Sequence, residues 1–460
     1  MKNILCIFTP FSSPVSPPYS ITYLAGFLKR NTNPGEFSYE LLDLNAWLHH
    51  EQFKSEYAKV RLALKNQSMD DYALHAHDLR LKIENFTKLE NAAVRKEENS
   101  ALLQKCLNYI LSRKPDVVLL SVVYNSQAFF SLQLARDLRK HDIPVIVGGP
   151  AATSQLKGMA TYLPNEVSLL EHLTGKSIDH DKLNISHVLD YSGYDFSLYL
   201  APESVICLKT SSCCYYQRCT FCTHHGFGKY IEYSMDDIRN SIVASKSKLV
   251  FFIDDMIHKK RLLELAKVTK SLGVSWMCQL RPMKELDEDT LRTLHESGLK
   301  IVLWGVESGS NRVLEMMDKG TNTADVEKVL QSSRKVGITN VTYILFGFPT
   351  ETKDEFLATI DLLKRNKANI DLISTSVFGL QEGSLVFKSP KKFMITDVGR
   401  EPRTMLPDKI SYTVEAGLHR DDARELRQKY SKTLNSINKF PKEMNIYREH
   451  MLYSVSKTSK

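Results

Sequence analysis

The sequence of 460 residues has no apolar run of the roughly 20 residues that a membrane-spanning helix needs. Its first eight residues lack the charged start and the long apolar core of a secretory signal, so we interpret them as a β-strand. With 43% hydrophobic residues, the chain can bury the cores of two or three domains. These features predict a cytoplasmic protein with no membrane partner.

The chain also lacks a concentrated basic patch. Lys and Arg number 61 against 53 Asp and Glu, and the net charge of +8 is spread along the sequence with a mild excess near the C-terminal end. Nucleic-acid-binding proteins gather their basic residues on one face or along one helix. We therefore expect no nucleic-acid partner.

Glycine and proline are absent from residues 46–113, a long charged stretch of helix-forming composition. Because these two residues mark turns and helix ends, their absence predicts a helical insertion. Two interpretations stay open at this point: a lid or docking surface, or a solvated helical decoration.

Strands alternate with helices around this insertion. Residues 2–9, 37–44, 116–123 and 144–147 have the pattern of buried strands, and the last of these runs into Gly148 and Gly149. Such an alternation is typical of a doubly wound parallel sheet, whose ligand crevice lies at the carboxyl ends of the strands. Residues 1–190 are therefore predicted to form a Rossmann-like α/β domain.

A second regular alternation follows. Helical segments such as 260–272 and 323–335 separate six predicted strands, which predicts a partial (β/α)6 barrel resembling part of a TIM barrel over residues 200–390. Function is expected at the carboxyl ends of these strands. The remaining residues, 391–460, are polar and are predicted to form a helical C-terminal segment. The six predicted strands are 205–210, 249–253, 274–279, 300–304, 340–346 and 371–378.

Five of the eight cysteines lie within sixteen positions, which favours a metal site over disulfides in a cytoplasmic chain. Thiolates suit iron–sulfur clusters and zinc. A zinc site is the open alternative, because a histidine pair follows the last of these cysteines. The candidate zinc ligands are Cys213 or Cys214, Cys219, Cys222, and His224 or His225.

The cysteine segment resembles the cluster loop of the radical S-adenosylmethionine (SAM) superfamily, whose usual spacing is Cys, three residues, Cys, two residues, Cys. Cys219, Phe221 and Cys222 match the second half of that pattern. The first gap has four residues if Cys214 is the first ligand and five if it is Cys213. We assign Cys214 and keep Cys213 as the alternative. The resemblance implies a [4Fe–4S] cluster held by Cys214, Cys219 and Cys222, with SAM on the open iron.

The resemblance continues at the ends of the later strands. It implies that Asp254 and Asp255 accept hydrogen bonds from the SAM amino group and that Arg281 pairs with the SAM carboxylate. Each position alone has an ordinary explanation, such as a helix N-cap at Asp255. Together, in order on successive strand ends, they support a cluster rather than zinc. The implied SAM contacts are Phe221, Asp254, Asp255, Arg281, Glu307, Ser308 and Gly347.

The first domain is similar to the cobalamin-binding domain that precedes the radical SAM core in many methyltransferases. Ser121, Gly148 and Gly149 would lie at the crevice for the nucleotide tail of cobalamin. The Asp-x-His-x-x-Gly motif that supplies a lower axial histidine is absent, as it commonly is in such relatives. The stretch from Pro150 to Asn165 is about one helix shorter than usual, so the cofactor could also have been lost.

The resemblance implies a radical SAM enzyme, most simply a cobalamin-dependent methyltransferase acting on a peptide or small natural product. A flavodoxin or ferredoxin would supply electrons. One alternative is a cobalamin-free radical SAM enzyme that catalyses cyclisation, rearrangement or aminocarboxypropyl transfer. Another is a zinc-stabilised binding protein.

Overall fold

The computed structural model describes residues 1–96, 98, 100–226, 228–403 and 406–458. The chain forms two compact units. The first comprises mainly Met1–Cys207 and Asp236–Ser247, and the second comprises Leu208–Met235, Lys248–Pro402 and the chain from Asp408 onward. In the described part of the chain, no helix is long and apolar enough to cross a membrane.

A five-stranded parallel sheet forms the centre of the first unit, with strand order β2-β1-β3-β4-β5. The four predicted strands are present, and the short β5 was not predicted. Ile4, Leu5 and Ile7 of β1 are fully buried, as expected for a parallel strand that is covered on both faces. The strands are β1 (Lys2–Phe8), β2 (Phe37–Asp43), β3 (Val117–Ser121), β4 (Val145–Gly148) and β5 (Thr161–Tyr162).

The predicted insertion is helical, and one side of it packs against the rest of the first unit. Leu48, Tyr57, Tyr72 and Leu79 have at most 1% exposure, so its helices add to the core of the first unit. A role as a lid or docking surface stays a prediction. The helices of this unit are α1 (Tyr19–Asn31), α2 (Leu44–Lys65), α3 (Met69–Arg95), α4 (Ala101–Leu111), α5 (Ala128–Lys140), α6 (Ser154–Met159), α7 (Glu166–Thr174) and α8 (Met235–Ser245).

The second unit contains a six-stranded sheet with strand order β11-β10-β9-β8-β7-β6. The strands follow one another in chain order and the described sheet stays open between β11 and β6, which agrees with the predicted partial barrel. The strands are β6 (Val205–Leu208), β7 (Leu249–Phe252), β8 (Ser275–Leu280), β9 (Leu299–Glu307), β10 (Thr339–Phe346) and β11 (Leu372–Val377).

Helices connect these strands close to their predicted positions. α9 begins with a His258 cap and α10 with an Asp287 cap, each of which accepts a hydrogen bond from a backbone N–H of the first turn. The helices are α9 (Lys259–Leu272), α10 (Glu288–Glu296), α11 (Asn311–Met316), α12 (Thr323–Lys335), α13 (Lys353–Arg365) and α14 (Leu385–Lys388).

The helical prediction for residues 391–460 is wrong in its first part. An antiparallel hairpin, β12 (Ile395–Glu401) and β13 (Lys409–Val414), precedes the helices. Ile395 pairs with Val414 and Val398 with Tyr412, so β-branched and aromatic side chains meet across the strands. The polar residues between them hid this alternation in the sequence. The helices are α15 (Arg420–Lys429), α16 (Ser431–Asn435) and α17 (Arg448–Thr458).

We predict that Gly298→Ala destabilises the second unit by about 2 to 4 kcal/mol. Gly298 precedes β9 with φ +102°, and a Cβ atom there would lie 2.0 Å from the Val274 carbonyl oxygen. Urea midpoints measure the loss. Gly158→Ala, in α6 and with open space around its Cβ position, is the control and should change stability by less than about 1 kcal/mol. Equal midpoints for the two variants would contradict the prediction.

Candidate active site

The loop that follows β6, residues 210–225 and here called the cysteine loop, brings three of the predicted metal ligands together. Cys214, Cys219 and Cys222 are half-buried. Burial raises the pKa of the Cys219 thiol to about 11, and the neighbouring Cys222 and Cys214 thiols contribute to the rise. Burial likewise raises the pKa of Cys222, with a contribution from Cys214. The three thiols are therefore close enough for their charges to interact.

Cys213 has a different role in the loop. It is buried, and the Gln217 side-chain amide donates a hydrogen bond to its sulfur over 3.2 Å. Gln217 has a left-handed backbone with φ 49°, so it accommodates the extra residue between Cys214 and Cys219. The irregular spacing predicted within residues 215–218 therefore corresponds to a local change of backbone direction at Gln217, whose side chain contacts Cys213.

Asp254 directs its carboxylate to the start of the cysteine loop. It is 3% exposed and accepts hydrogen bonds of 2.8–3.0 Å from the backbone N–H and hydroxyl groups of Thr210 and Ser211. Burial raises the pKa of Asp254 even though these bonds lower it. Its hydrogen bonds are thus made within the protein, at the base of the loop.

Asp255 pairs with His224 of the cysteine loop, with 3.0 Å between the carboxylate and Nδ1. The hydrogen bond to Asp255 raises the pKa of His224. The His225 ring contacts the Arg218 carbonyl oxygen over 3.2 Å. Among the described residues, no three His, Cys, Asp or Glu side chains converge as ligands of one metal ion.

Arg281 connects the cysteine loop to the turn after α11. Its guanidinium lies 3.8 Å from the centroid of the Tyr216 ring, and Nη1 donates to the Lys319 carbonyl oxygen over 2.8 Å. The Tyr216 hydroxyl donates to the Asp318 carbonyl oxygen over 2.9 Å. Arg281 therefore stabilises the loop, and its Nε has no partner in the structure.

Glu307 and Lys319 form a buried ion pair with 2.7 Å between their charged atoms. Burial lowers the pKa of Lys319, but Glu307 and the Cys219 thiol together raise it above its usual value. Lys319 also lies 5.6 Å from the centroid of the Phe221 ring. A fixed positive charge therefore stands beside the cysteines. Lys319 was not among the predicted site residues.

Ser308 and Gly347 stabilise turns at the ends of β9 and β10. The buried Ser308 hydroxyl accepts a hydrogen bond from the Ser310 N–H over 3.1 Å. Gly347 has φ 70° and donates its N–H to Glu351. Glu351 is fully buried, and burial raises its pKa to about 8. Helix α13 begins with a capping box made by Thr352 and Glu355, and Glu351 lies just before it.

A cavity of about 460 Å³, here called the strand-end cavity, lies beside the cysteine loop. Phe221, Cys222 and Glu307 line it, whereas the other predicted SAM contacts do not. Arg448 of α17 also lines it, which no motif in the sequence indicated. The lining is completed by Thr223, Tyr343, Ile344, Leu345, Ser374, Thr375, Ser376, Val377, Phe378, Gly379 and Gln381.

The first unit has its own cavity of about 300 Å³ at the carboxyl ends of β3 and β4. All three residues predicted for the cobalamin crevice, Ser121, Gly148 and Gly149, line it. Gly149 has φ +109°, and a Cβ atom there would lie 2.3 Å from the Val122 carbonyl oxygen. Tyr19 and Tyr23 line the same cavity and were not predicted.

Residues 209–363 match the family model of the radical SAM superfamily. The cysteine loop, Asp254, Glu307 and Gly347 all lie within this segment. This segment is therefore a radical SAM domain.

Two proteins with similar sequences carry names that describe them as methyltransferases. An uncharacterized methyltransferase of Pyrococcus horikoshii is 28% identical over 158 residues, which are 32% of this chain and 34% of that protein. Bacteriochlorophyllide d C-12(1)-methyltransferase of Chlorobaculum tepidum is 27% identical over 232 residues, which are 48% of this chain and 46% of that protein. The matches thus span about a third to a half of these relatives.

Two solved structures share the fold. The radical SAM methyltransferase TsrM of Kitasatospora setae, with cobalamin and a [4Fe–4S] cluster bound, aligns over 100% of both chains with a TM-score of 0.63 and 13% identity. The cobalamin-dependent enzyme OxsB covers 100% of this chain and 71% of its own, with a TM-score of 0.59 and 15% identity. The predicted order of an α/β domain and a radical SAM domain agrees with these folds.

We predict that Glu351→Gln gains stability relative to the wild type as pH rises from 6 to 8. The pKa of Glu351 is raised from 4.5 to about 8, so the folded chain keeps a proton that the unfolded chain has lost. Its contribution is fully present below about pH 4.5 and is lost towards pH 8, by at most about 1.4 kcal/mol per pH unit. Gln cannot titrate and removes this loss.

Urea midpoints at pH 6, 7 and 8 provide the measurement. Glu56→Gln is the control, because the hydrogen bond from Lys82 lowers the pKa of Glu56 to about 2 and Glu56 has no part in the raised pKa of Glu351. Glu56 is ionised in both states over this range, so its variant should differ from the wild type by a constant amount. A constant difference for Glu351→Gln as well would disprove the prediction.

Proposed function

We propose that this protein is an enzyme that binds a [4Fe–4S] cluster through Cys214, Cys219 and Cys222 and cleaves SAM reductively. The observation that carries the proposal is the grouping of these three thiols beside a cavity that Cys222, Phe221 and Glu307 line. A cluster held by these cysteines would supply the electron for the reductive cleavage of SAM, and the resulting radical chemistry would act on the substrate.

The donor set fits a cluster better than a zinc ion. Thiolates are soft ligands, and in a [4Fe–4S] cluster each cysteine ligates a different iron, so the sulfur atoms need not converge on one point. Zinc needs four ligands around a single ion. No such convergence exists among the described residues, and His224 is paired with Asp255.

The residues predicted to contact SAM divide into those that line the strand-end cavity and those that hold the loops beside it. We assign Phe221 and Glu307 to SAM, since both line the cavity and the Glu307 carboxylate can accept hydrogen bonds from hydroxyl or ammonium groups. Lys319 orients Glu307 through their ion pair of 2.7 Å. We propose that Asp254, Arg281 and Ser308 act indirectly, because their hydrogen bonds are made within the protein. Asp255 orients His224, and Gly347 shapes the turn after β10.

We further propose cobalamin-dependent methyl transfer as the reaction, with a peptide or small natural product as substrate and a flavodoxin or ferredoxin as reductant. The cavity lined by Ser121, Gly148 and Gly149, together with the shared fold of TsrM, supports this. Bound cobalamin would supply the methyl group. A Cβ atom at position 149 would meet the Val122 backbone, so this crevice needs glycine there.

One observation favours a cobalamin-free radical SAM enzyme as the second candidate. α6, which follows the glycines of the crevice, has only six residues. A shortened helix leaves less protein around a large cofactor. Such an enzyme could catalyse cyclisation or rearrangement, or transfer the aminocarboxypropyl group of SAM.

Single Ala variants of Cys214, Cys219 and Cys222 should lower iron content and SAM cleavage at least about tenfold, because each removes a metal ligand. Cys213→Ala is the matched control and should retain both, since its sulfur bonds to Gln217. Iron and sulfide assays after anaerobic reconstitution, with mass spectrometry of methionine and 5′-deoxyadenosine, provide the readout. Loss of the cluster in Cys213→Ala but not in Cys214→Ala would make Cys213 the first cluster ligand instead of Cys214. Stoichiometric zinc in place of iron would exclude a radical SAM enzyme.

Wild-type protein loaded with hydroxocobalamin should retain the corrinoid absorbance through desalting. Gly148→Ile should retain at least about tenfold less corrinoid absorbance than the wild type while keeping its iron. The reason is that the new side chain occupies the first-unit cavity. Gly158→Ile, outside the cavity lining, is the control. Equal retention by Gly148→Ile and the wild type would refute this cobalamin site. No retention by the wild type would favour the second candidate.

A further inference from the structure

Arg448 is the uncompensated charge of the strand-end cavity. The other charged residue in the lining, Glu307, is neutralised by Lys319 at 2.7 Å. Arg448 donates through Nε to the Asn445 carbonyl oxygen over 3.3 Å, and no described Asp or Glu forms an ion pair with it. Its two terminal nitrogens therefore remain available to a ligand.

The C-terminal helix places this arginine at the cavity. α17 is buried from Glu449 through Val455 and packs against β7, β8 and β9. On β10, the Asn340 side chain donates a hydrogen bond to the Leu330 carbonyl oxygen of α12, so it faces the helices. Side chains alternate between the two faces of a strand, and Tyr343 is three residues further along, so it faces the opposite side of the sheet. Arg448 lies there, 5.3 Å from the centroid of the Tyr343 ring.

A second donor stands next to Arg448. The Tyr343 hydroxyl is buried and has no hydrogen-bond partner in the structure. Buried polar groups normally find a partner, so this hydroxyl is a candidate to bind a ligand. The neighbouring carboxylate of Glu449 is buried within α17 and has an interaction of its own. A guanidinium and a phenol side by side suit a carboxylate, which accepts two hydrogen bonds from the former.

This pair lies deeper than Phe221 and the cysteine loop, and Glu307, the other residue assigned to SAM, pairs with Ile344 between the two levels. Tyr343 is level with Ser374 and Gly305 across the sheet, whereas Cys222, Phe221 and the Gly347 turn lie at the carboxyl edge. Four residues of strand separate Tyr343 from Gly347, which is roughly 13 Å. Arg448 therefore lies at the floor of the cavity, and the N-terminus of α17 adds a positive field there.

We propose that Arg448 and Tyr343 bind a carboxylate of the substrate and thereby select an anionic substrate. This rests on the proposed function, in which the cysteine loop holds the cluster and SAM at the opposite end of the cavity. The substrate is thus a carboxylic acid whose reacting carbon lies between its acid group and the cysteine loop.

The test uses 3-phenylpropionate and its uncharged amide as probes of the full-length protein, with saturation-transfer NMR as the readout. The wild type should bind the carboxylate at least about tenfold more tightly than the amide. Arg448→Gln should abolish this preference without changing amide binding, Arg448→Lys should keep part of it, and Tyr343→Phe should weaken it. Arg365→Gln, an exposed arginine paired with Glu327, is the control and should behave as the wild type.

Absence of the preference in the wild type, or its persistence in Arg448→Gln, would overturn the proposal. Equilibrium dialysis of SAM supplies a second readout, in which Arg448→Gln should bind SAM within about twofold of the wild type. A tenfold loss would assign Arg448 to the SAM carboxylate and likewise overturn it. Because the probe assay requires no cluster, failure of the proposed function would appear separately, as missing iron or missing SAM cleavage.

Discussion

A buried carboxylate at the end of β7 is the interaction on which the site depends. Asp254 accepts hydrogen bonds from Thr210 and Ser211, the first residues of the cysteine loop. A charge at this depth is tolerated only while donors surround it. If the loop moved away from the strand end, the buried Asp254 carboxylate would lose its hydrogen-bond donors. The positions of Cys214, Cys219 and Cys222 therefore depend on this contact.

The second constraint on the site is the distribution of charge around the cysteines. Lys319 pairs with the Glu307 carboxylate over 2.7 Å, and its ammonium stays charged because Glu307 and the Cys219 thiol raise its pKa despite burial. Three thiolates and a carboxylate close together would repel one another strongly. A buried cation within this group reduces that repulsion, which explains why the turn after α11 contacts the cysteine loop through both Lys319 and the Arg281–Tyr216 stack.

The residues predicted to contact SAM occupy two kinds of position in the structure. Phe221 and Glu307 line the strand-end cavity, but Asp254 and Ser308, taken as SAM contacts from the family pattern, are engaged in hydrogen bonds that shape loops. The pattern marks positions that the site needs. It does not distinguish a group that touches the ligand from one that supports the backbone beside it.

Strand and helix periodicity, together with the cysteine spacing, determined from sequence alone the two α/β sheets, the helical insertion and the loop that carries the proposed cluster ligands. These are local signals, since burial alternates or repeats along each element. Only the tertiary structure decided that Gln217 absorbs the irregular gap, that Lys319 neutralises Glu307, and that Arg448 reaches the cavity. Each depends on contacts between residues far apart in the chain, which parallel strands bring together at one edge and which no local pattern records.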